Sequence, residues 1–452
     1  MLKIFYLFTF TTKEKEMKVA KFGGSSLADA RQLKKVKDII LEDDARKYIV
    51  VSAPGKGVNN NHKVTDLLAM CHELSAHELN FNEVYKIIEN VFKNIVDDLV
   101  LDIDIDKILA EVKDEITNGA SYDFVISRGE FISSQVLAAY LGFDFVDARD
   151  LIVFTNGVVD LPKSEDKIKD ILTKHENAVV PGFYGENEEG KVKTFSRGGS
   201  DVTGSIIASA LDAEMYENFT DVSGFLVADP KIVKDSSPIG TITYKELREL
   251  SYMGAKVLHE EAIFPLRDKN IPINIKNTNA PHEEGTLILS KCDIKNKNIL
   301  TGISGKKDFT VINLEKVNMN TEKDFFRKLT TVFESNDISI EHMPSSIDSV
   351  SVLVADSYIT PKLDKVLEEL KIYLNVDNIS WERDISLIAV VGRGMINEKG
   401  VSSRTFTALA REGVNIKMIS QGSSEINIII GVETQDFEKA IRAIYEEFYK
   451  ED

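Results

Sequence analysis

The last third of this 452-residue chain carries one pattern twice, and that duplication restricts its fold more than any other feature. Phe309-Thr-Val-Ile-Asn-Leu314 resembles Ile385-Ser-Leu-Ile-Ala-Val390 at an offset of 76 residues. The same offset takes Met319 to Met395, Ile340 to Ile416, and Val350, Val352 and Val354 to Ile426, Ile428 and Ile430. A constant offset without gaps is an internal repeat. Each copy reads strand, helix, strand, strand, helix; helix 322–335 answers to 402–412, and alternating strand 349–355 answers to 425–432. The order predicts a ferredoxin-like α+β unit, twice. The copies end differently: the first has a fourth strand at 375–383, whereas the second reaches its helix at 436–448 and the sequence stops four residues later. The apolar segment 298–303 is the expected source of the missing strand. The first unit, 309–384, is then inserted into a second made of 297–308 and 385–452.

The first two-thirds alternate. Strands are expected at 19–22, 48–52, 124–127, 143–147, 179–183, 215–220 and 271–275, and helices at 28–41, 64–77, 130–141, 201–211 and 244–253. This alternation predicts an α/β domain over 17–296, with a mostly parallel sheet and helices on both faces. Ligands of such sheets gather at the carboxyl ends of the strands. Lys21, Ser52, Ser127 and Thr220 each end an expected strand. The segment 80–118 reads as a helical, acidic excursion that covers the sheet or meets a partner subunit.

At the first strand end stands Lys21-Phe-Gly-Gly-Ser-Ser26. Two adjacent glycines leave backbone N–H groups open to close approach, the serines add donors and the lysine adds a compact cation. That is the equipment for a polyphosphate at a helix N-terminus. It is not the G-x-x-x-x-G-K-[ST] loop, because the lysine precedes the glycines. Four more polar segments follow: Ser127-Arg-Gly-Glu130, Ser196-Arg-Gly-Gly-Ser-Asp201, Thr220-Asp-Val-Ser-Gly224 running on to Ala228-Asp-Pro-Lys231, and Gly254-Ala-Lys-Val-Leu-His259. In order and spacing the five segments resemble the signatures of aspartate kinase, within the amino-acid kinase superfamily. The resemblance covers nearly all of 17–452, and the repeat looks like a pair of ACT domains.

That resemblance implies transfer of the γ-phosphoryl of ATP to the β-carboxylate of L-aspartate, as the first step toward lysine, threonine and methionine. A carboxylate is already ionised at neutral pH, with a pKa of about 4, so no general base is needed. Positioning and positive charge around the transferred group carry the catalysis. Lys21 and Asp201 are the expected catalytic residues. Lys21, Gly23, Gly24, Ser25, Thr220, Asp221, Leu226, Lys231, Lys256 and Val257 are expected to bind ATP. Leu226 and Lys231 depart from the family's usual aromatic and Arg, and a lysine does not make bidentate phosphate contacts. Glu130 is the expected partner of the substrate ammonium and Arg197 the carboxylate clamp. Ser52, Thr65, Phe183, Ser200 and Asp201 complete the aspartate set. Mg²⁺ is expected to arrive with ATP, held by phosphates and waters, with no dedicated protein ligand. Met319, Phe325, Ser339, Ile340, Glu341, Ser345 and Ser346 are expected to bind a feedback effector. Glu341 favours lysine, and threonine is the alternative. The ACT units are expected to pair in a homodimer, with a tetramer also open.

Composition narrows the remaining classes. With 55 basic against 73 acidic residues the formal charge is −18, which argues against nucleic acid and anionic membranes as partners. Two cysteines, Cys71 and Cys292, supply neither a disulfide framework nor a zinc motif, and fit a cytoplasmic chain. Residues 1–16 contain an apolar stretch, 4–10, that is too short to span a bilayer and is followed by Lys13-Glu-Lys-Glu16 rather than a small-residue cleavage site. They are expected to be a dispensable extension. A glutamate or acetylglutamate kinase is the nearest enzymatic alternative, and a catalytically dead amino-acid sensor is the alternative of another class. No dehydrogenase module is expected.

Overall fold

The computed structural model describes residues 17–57, 61–196, 198–255, 258, 260–292 and 298–450. The expectation for residues 1–16 therefore lies outside the described residues. In chain order the strands are β1 Lys18–Phe22, β2 Arg46–Val51, β3 Asp144–Phe145, β4 Val153–Thr155, β5 Val158–Val159, β6 Ala178–Pro181, β7 Tyr184–Asn187, β8 Val192–Thr194, β9 Met215–Thr220, β10 Thr241–Thr243, β11 Ile273–Asn277, β12 Thr286–Leu289, β13 Gly302–Glu315, β14 Ser349–Ala355, β15 Asn378–Val391, β16 Ile416–Ser420 and β17 Asn427–Glu433. The helices are α1 Ala30–Glu42, α2 Val64–Ala76, α3 Asn82–Leu99, α4 Ile105–Thr117, α5 Tyr122–Leu141, α6 Leu161–Leu172, α7 Gly199–Ala210, α8 Tyr244–Tyr252, α9 Phe264–Lys269, α10 Phe325–Ser335, α11 Asp356–Ile359, α12 Leu363–Leu374, α13 Val401–Arg411 and α14 Phe437–Tyr449. Two compact units form, Met1–Gly224 with Val257–Ser290, and Phe225–Lys256 with Lys291–Asp452.

Within the first unit the sheet runs β12-β11-β9-β1-β2-β6-β3. All neighbours are parallel except β11 and β12. Central strands covered on both faces read as unbroken apolar runs, as Tyr48 to Val51 does. Helices α1 to α5 pack into one core with the sheet, through Leu33, Leu68, Ile88, Leu109 and Val136 among others. A second, four-stranded sheet has the order β5-β4-β7-β8. The expected excursion at 80–118 is the helix pair α3 and α4.

Two expectations for this unit fail. Residues 124–127 are not a strand, and Glu130 does not open a helix. Both lie inside α5, a helix of 20 residues. Ser121 caps it by accepting from the Phe124 N–H, and Gly142, left-handed at φ 72°, ends it. The four apolar and small residues at 124–127 suit a buried helix turn as well as a strand. The sheet of β4, β5, β7 and β8 was not anticipated.

The second unit holds one five-stranded antiparallel sheet in the order β14-β13-β15-β17-β16. Both repeats share it, because β13 and β15 each serve both. Phe309 to Glu315 pairs with β14, while Gly302 to Lys306 pairs with Leu387 to Val391. The strand flanking the second repeat is thus Gly302–Lys306, a few residues later than the expected 298–303. The first repeat's second strand is reduced to isolated bridges, His342 with Leu353 and Ser345 with Val350. Its core joins Ile312, Met319, Phe325, Leu329, Val352 and Val366.

Candidate functional site

The carboxyl ends of β1, β2, β6 and β9 come together because the strands are parallel and in register. Lys21 pairs with Val50 on one side and Asn218 on the other, and Val51 pairs with Pro181. The loops leaving β1 and β2 touch backbone to backbone. A Cβ on Gly24 would lie 2.6 Å from the Ala53 carbonyl oxygen, and one on Gly55 would lie 2.9 Å from the Ser25 nitrogen. The Gly55 N–H donates to the Gly24 carbonyl at 2.8 Å. Glycine is required at both positions. Gly24 to Leu27 forms a single 3₁₀ turn, within which Ser26 is buried and bonded to Thr278 at 2.7 Å. Ser25 remains half-buried, and Ser52 directly follows β2 with its N–H on the Phe22 carbonyl at 3.1 Å.

Lys21 is buried at 8% exposure. Its Nζ lies 2.6 Å from Asp201 Oδ1 and 3.4 Å from Asn218 Oδ1. Asn218 Nδ2 donates to the same Asp201 oxygen at 2.9 Å. Asp201 stands in the first turn of α7, whose cap Gly198 is left-handed at φ 61°. Ser200, beside it, is buried against Gly182, where a Cβ would come 2.6 Å from the Ser200 Cβ. The sequence drew attention to Lys21, Ser200 and Asp201 but missed Asn218. Its only signal is the strand register.

Glu130 is buried at 5% exposure, and its Oε2 has no partner. The Ala53 backbone donates to this carboxylate, which ties it to the loop that also touches Gly24. Burial pushes its carboxyl up to about 8; the Ala53 N–H and the Arg128 guanidinium oppose this more weakly. The neighbouring Arg128 is structural. Its guanidinium lies over the rings of Phe124, Phe131 and Tyr184 and donates to Ser127 Oγ at 2.9 Å.

Phe183 has φ 79°, rare for a residue with a side chain. Its N–H on Thr203 Oγ1 at 3.1 Å and its carbonyl under the Phe195 N–H at 2.9 Å hold it there. Thr65, Phe183, Ser196 and Val202 line an open cleft of about 760 Å³. Arg197 lies outside the described residues, as do Lys256 and Val257. Thr220 ends β9 with its hydroxyl on Asp221 Oδ1 at 3.2 Å, and Asp221 is exposed. Leu226 and Lys231 belong to the second unit. Leu226 bridges to Pro238, and the Lys231 N–H donates to Asp229 Oδ1 at 2.8 Å. Among the described residues no three His, Cys, Asp or Glu side chains gather as a metal site, and no helix is long and apolar enough to cross a membrane.

In the second unit the expected effector residues divide. Met319 and Phe325 are sealed in the core of the first repeat. Ser339, Ser345 and Ser346 are exposed, and Ile340 and Glu341 are half-buried. The Tyr252 hydroxyl at the end of α8 donates to the Glu341 carboxylate. The sequence did not point to that contact.

Residues 16–277 match the model of the amino acid kinase family, and 388–448 match an ACT domain model. Aspartokinase 3 of Bacillus subtilis is 37% identical over 96% of this chain and 99% of its own length. The chloroplastic aspartokinase 1 of Arabidopsis thaliana is 32% identical over 96% of this chain and 80% of its own. Among solved structures, the aspartate kinase of Clostridium acetobutylicum, described as allosteric, superposes with a TM-score of 0.88 at 52% identity, over 96% of this chain and 100% of its own. Escherichia coli aspartokinase III with aspartate and ADP gives a TM-score of 0.74 at 25% identity, and with lysine and aspartate 0.73, each over 96% of this chain and 100% of its own.

Proposed function

Because this chain belongs to the aspartokinase branch of the amino acid kinase family, we propose that it moves the γ-phosphoryl of ATP onto the β-carboxylate of L-aspartate, giving 4-phospho-L-aspartate and ADP. The observation that carries the substrate reading is Glu130. A buried carboxylate with one unpartnered oxygen beside the Gly24 loop is a socket for an ammonium group. Lys21 meets the transferring phosphoryl, over a glycine pair that admits it closely. The cation offsets the repulsion between an anionic acceptor and the triphosphate, a charge effect that grows in a water-poor site. Gly24 and Ser25 offer donors to the phosphates, and Gly23, whose N–H already donates to the Phe219 carbonyl at 3.0 Å, leaves room beside the Lys21 ammonium. Arg197 takes a carboxylate of aspartate, with Ser52, Thr65, Phe183 and Ser200 around it. Thr220, Asp221, Leu226, Lys231, Lys256 and Val257 are the nucleotide contacts that the family resemblance implies. The nucleotide enters as its Mg²⁺ complex, the metal held by phosphates and waters.

The test is an ATP-dependent hydroxamate assay with aspartate, glutamate and acetylglutamate. Turnover confined to aspartate is expected, and preference for either of the others replaces this reading.

The reading extends to regulation. Lysine binds the first repeat, residues 309–384, with its ε-ammonium on Glu341. Ser339, Ile340, Ser345 and Ser346 line the approach, over Met319 and Phe325. The second repeat supports this division. The position 76 residues on from Glu341 is Lys417, whose ammonium is held by Glu382 at 2.6 Å and Glu433 at 3.1 Å. That repeat, residues 297–308 with 385–452, offers a cation where an ammonium ligand needs an anion. The catalytic stretch is 17–296, and the enzyme works as a cytoplasmic homodimer paired through its ACT units.

A further inference from the structure

We propose that Asn218 is a positioning residue for phosphoryl transfer, the group that lets the Lys21–Asp201 ion pair open when the nucleotide arrives. The inference rests on the reading of Lys21 as the phosphoryl-facing cation. Asn218 is 2% exposed and sits on β9 directly beside Lys21 in register. Around it on β1 and β9, Ala20, Phe22 and Phe219 are fully buried and apolar, and its charged neighbour on β9, Glu217, is buried and paired with Arg46 at 2.5 Å. An amide is costly in such surroundings unless both its ends are bonded, and here they are. Its Nδ2 donates to Asp201 Oδ1 at 2.9 Å and its Oδ1 accepts from Lys21 Nζ at 3.4 Å. Lys21 Nζ reaches the same Asp201 oxygen at 2.6 Å. The three groups close a triangle.

To neutralise a phosphoryl in flight, the Lys21 ammonium must turn away from Asp201. A largely buried carboxylate stripped of its partner is strongly penalised. Asn218 keeps a donor on Oδ1 after Lys21 leaves, and Oδ2 stays available to the substrate ammonium. Tyr216, two residues earlier on the same face of β9, donates from its hydroxyl to the Asp201 carbonyl at 3.2 Å and holds the backbone in place. The neutrality of the amide matters as much as its geometry. A carboxylate at this position retains Lys21, and an apolar side chain gives Asp201 no substitute donor.

The experiment compares Asn218→Leu and Asn218→Asp with wild type, with Lys21→Ala as control. It reads kcat, both KM values and the melting temperature between about pH 6 and 9. Asn218→Leu is expected to lose roughly 10- to 100-fold in kcat with KM for ATP nearly unchanged, the signature of misplacement in the transition state. Asn218→Asp is expected to be weakest at high pH and to recover relative to wild type as pH falls, because a protonated carboxyl, like the amide, presents a donor on one atom and an acceptor on the other. Wild-type kcat in folded Asn218→Leu overturns the proposal, as does an Asn218→Asp to wild-type ratio that is flat with pH. Should Asn218→Leu fail to fold, the pH ratio decides alone. Turnover retained in Lys21→Ala overturns the reading of Lys21 and this inference with it. An inactive Lys21→Ala beside a fully active Asn218→Leu overturns this inference only.

Discussion

Burial keeps the Glu130 carboxyl protonated well above the usual carboxylate range, whereas the ammonium partner proposed for it would require it charged. Its carboxyl is lifted from an ordinary 4.5 to about 8, chiefly by burial. Folding therefore takes up a proton between those values, and this group's contribution to stability falls as pH rises from about 4.5 to about 8. Glu130→Gln is expected to flatten that slope and to melt above wild type at alkaline pH, which thermal scans across pH will measure. An ammonium ligand favours the ionised form. Aspartate binding near neutrality is then expected to release a proton, visible as a buffer-dependent heat in calorimetry and absent in Glu130→Gln. Identical heats in buffers of different ionisation enthalpy refute the linkage. At this scale the sequence was informative wherever chemistry and spacing agreed, as at Lys21, Gly23 and Gly24. Glu130 was legible as a charge but not as a mid-helix residue, because the short apolar run before it suits a strand as well as a buried helix turn. Asn218 was invisible, since an asparagine before Phe-Thr-Asp acquires its role only from the strand beside it.

Helix α8 is held at both ends by residues that flank the strands of the five-stranded sheet. At its start Thr243 and Glu246 form a reciprocal cap. Glu246 also accepts from the Arg393 side chain at 2.8 Å, the Arg393 backbone at 2.9 Å and Thr301 at 2.5 Å. Burial opposes ionisation of Glu246, but the hydrogen bonds from Thr243, Thr301 and Arg393 outweigh it and hold its carboxyl below 4.5. That stabilisation is present above the ordinary carboxylate value and is lost as pH falls through the lowered one. Arg393→Ala leaves a buried carboxylate unpaired, and is expected to cost the second unit about 3 kcal/mol or more in denaturant unfolding. At the other end Tyr252 occupies Glu341, the carboxylate assigned to the effector. Tyr252→Phe removes that competitor and is expected to lower the lysine concentration for half-inhibition by roughly 3- to 10-fold. Glu341→Ala is expected to abolish inhibition with basal turnover intact. Unchanged titrations in both variants discard the assignment of Glu341. Elements of this length were readable from periodicity. The sheet of β4, β5, β7 and β8 was not, because strands of two to four residues are too short to show alternation.

For the whole molecule, the duplicated pattern announced two strand-and-helix repeats because a side-chain period of two survives in sequence, but not the single sheet they share, because the residues that pair are not written there. Trp381 is the single tryptophan and lies on β15, 47% exposed. If the ACT units pair between chains, its emission should shift to the blue as concentration drives dimerisation, in step with sedimentation. A monomer at all concentrations removes the dimer from the proposal. The register of β13 and β15 also has a consequence during synthesis. Gly302 leaves the ribosome long before Val391, the residue it pairs with. Phe225–Lys256 emerges earlier still, and the compact unit it joins is otherwise built from Lys291 onward. Helix α8 must therefore wait, with its apolar face uncovered, until both β13 and β15 have been made. The nascent chain is most exposed to chaperones and proteases in that interval, and a ribosome stalled before β15 would release a first unit carrying an unsheltered tail.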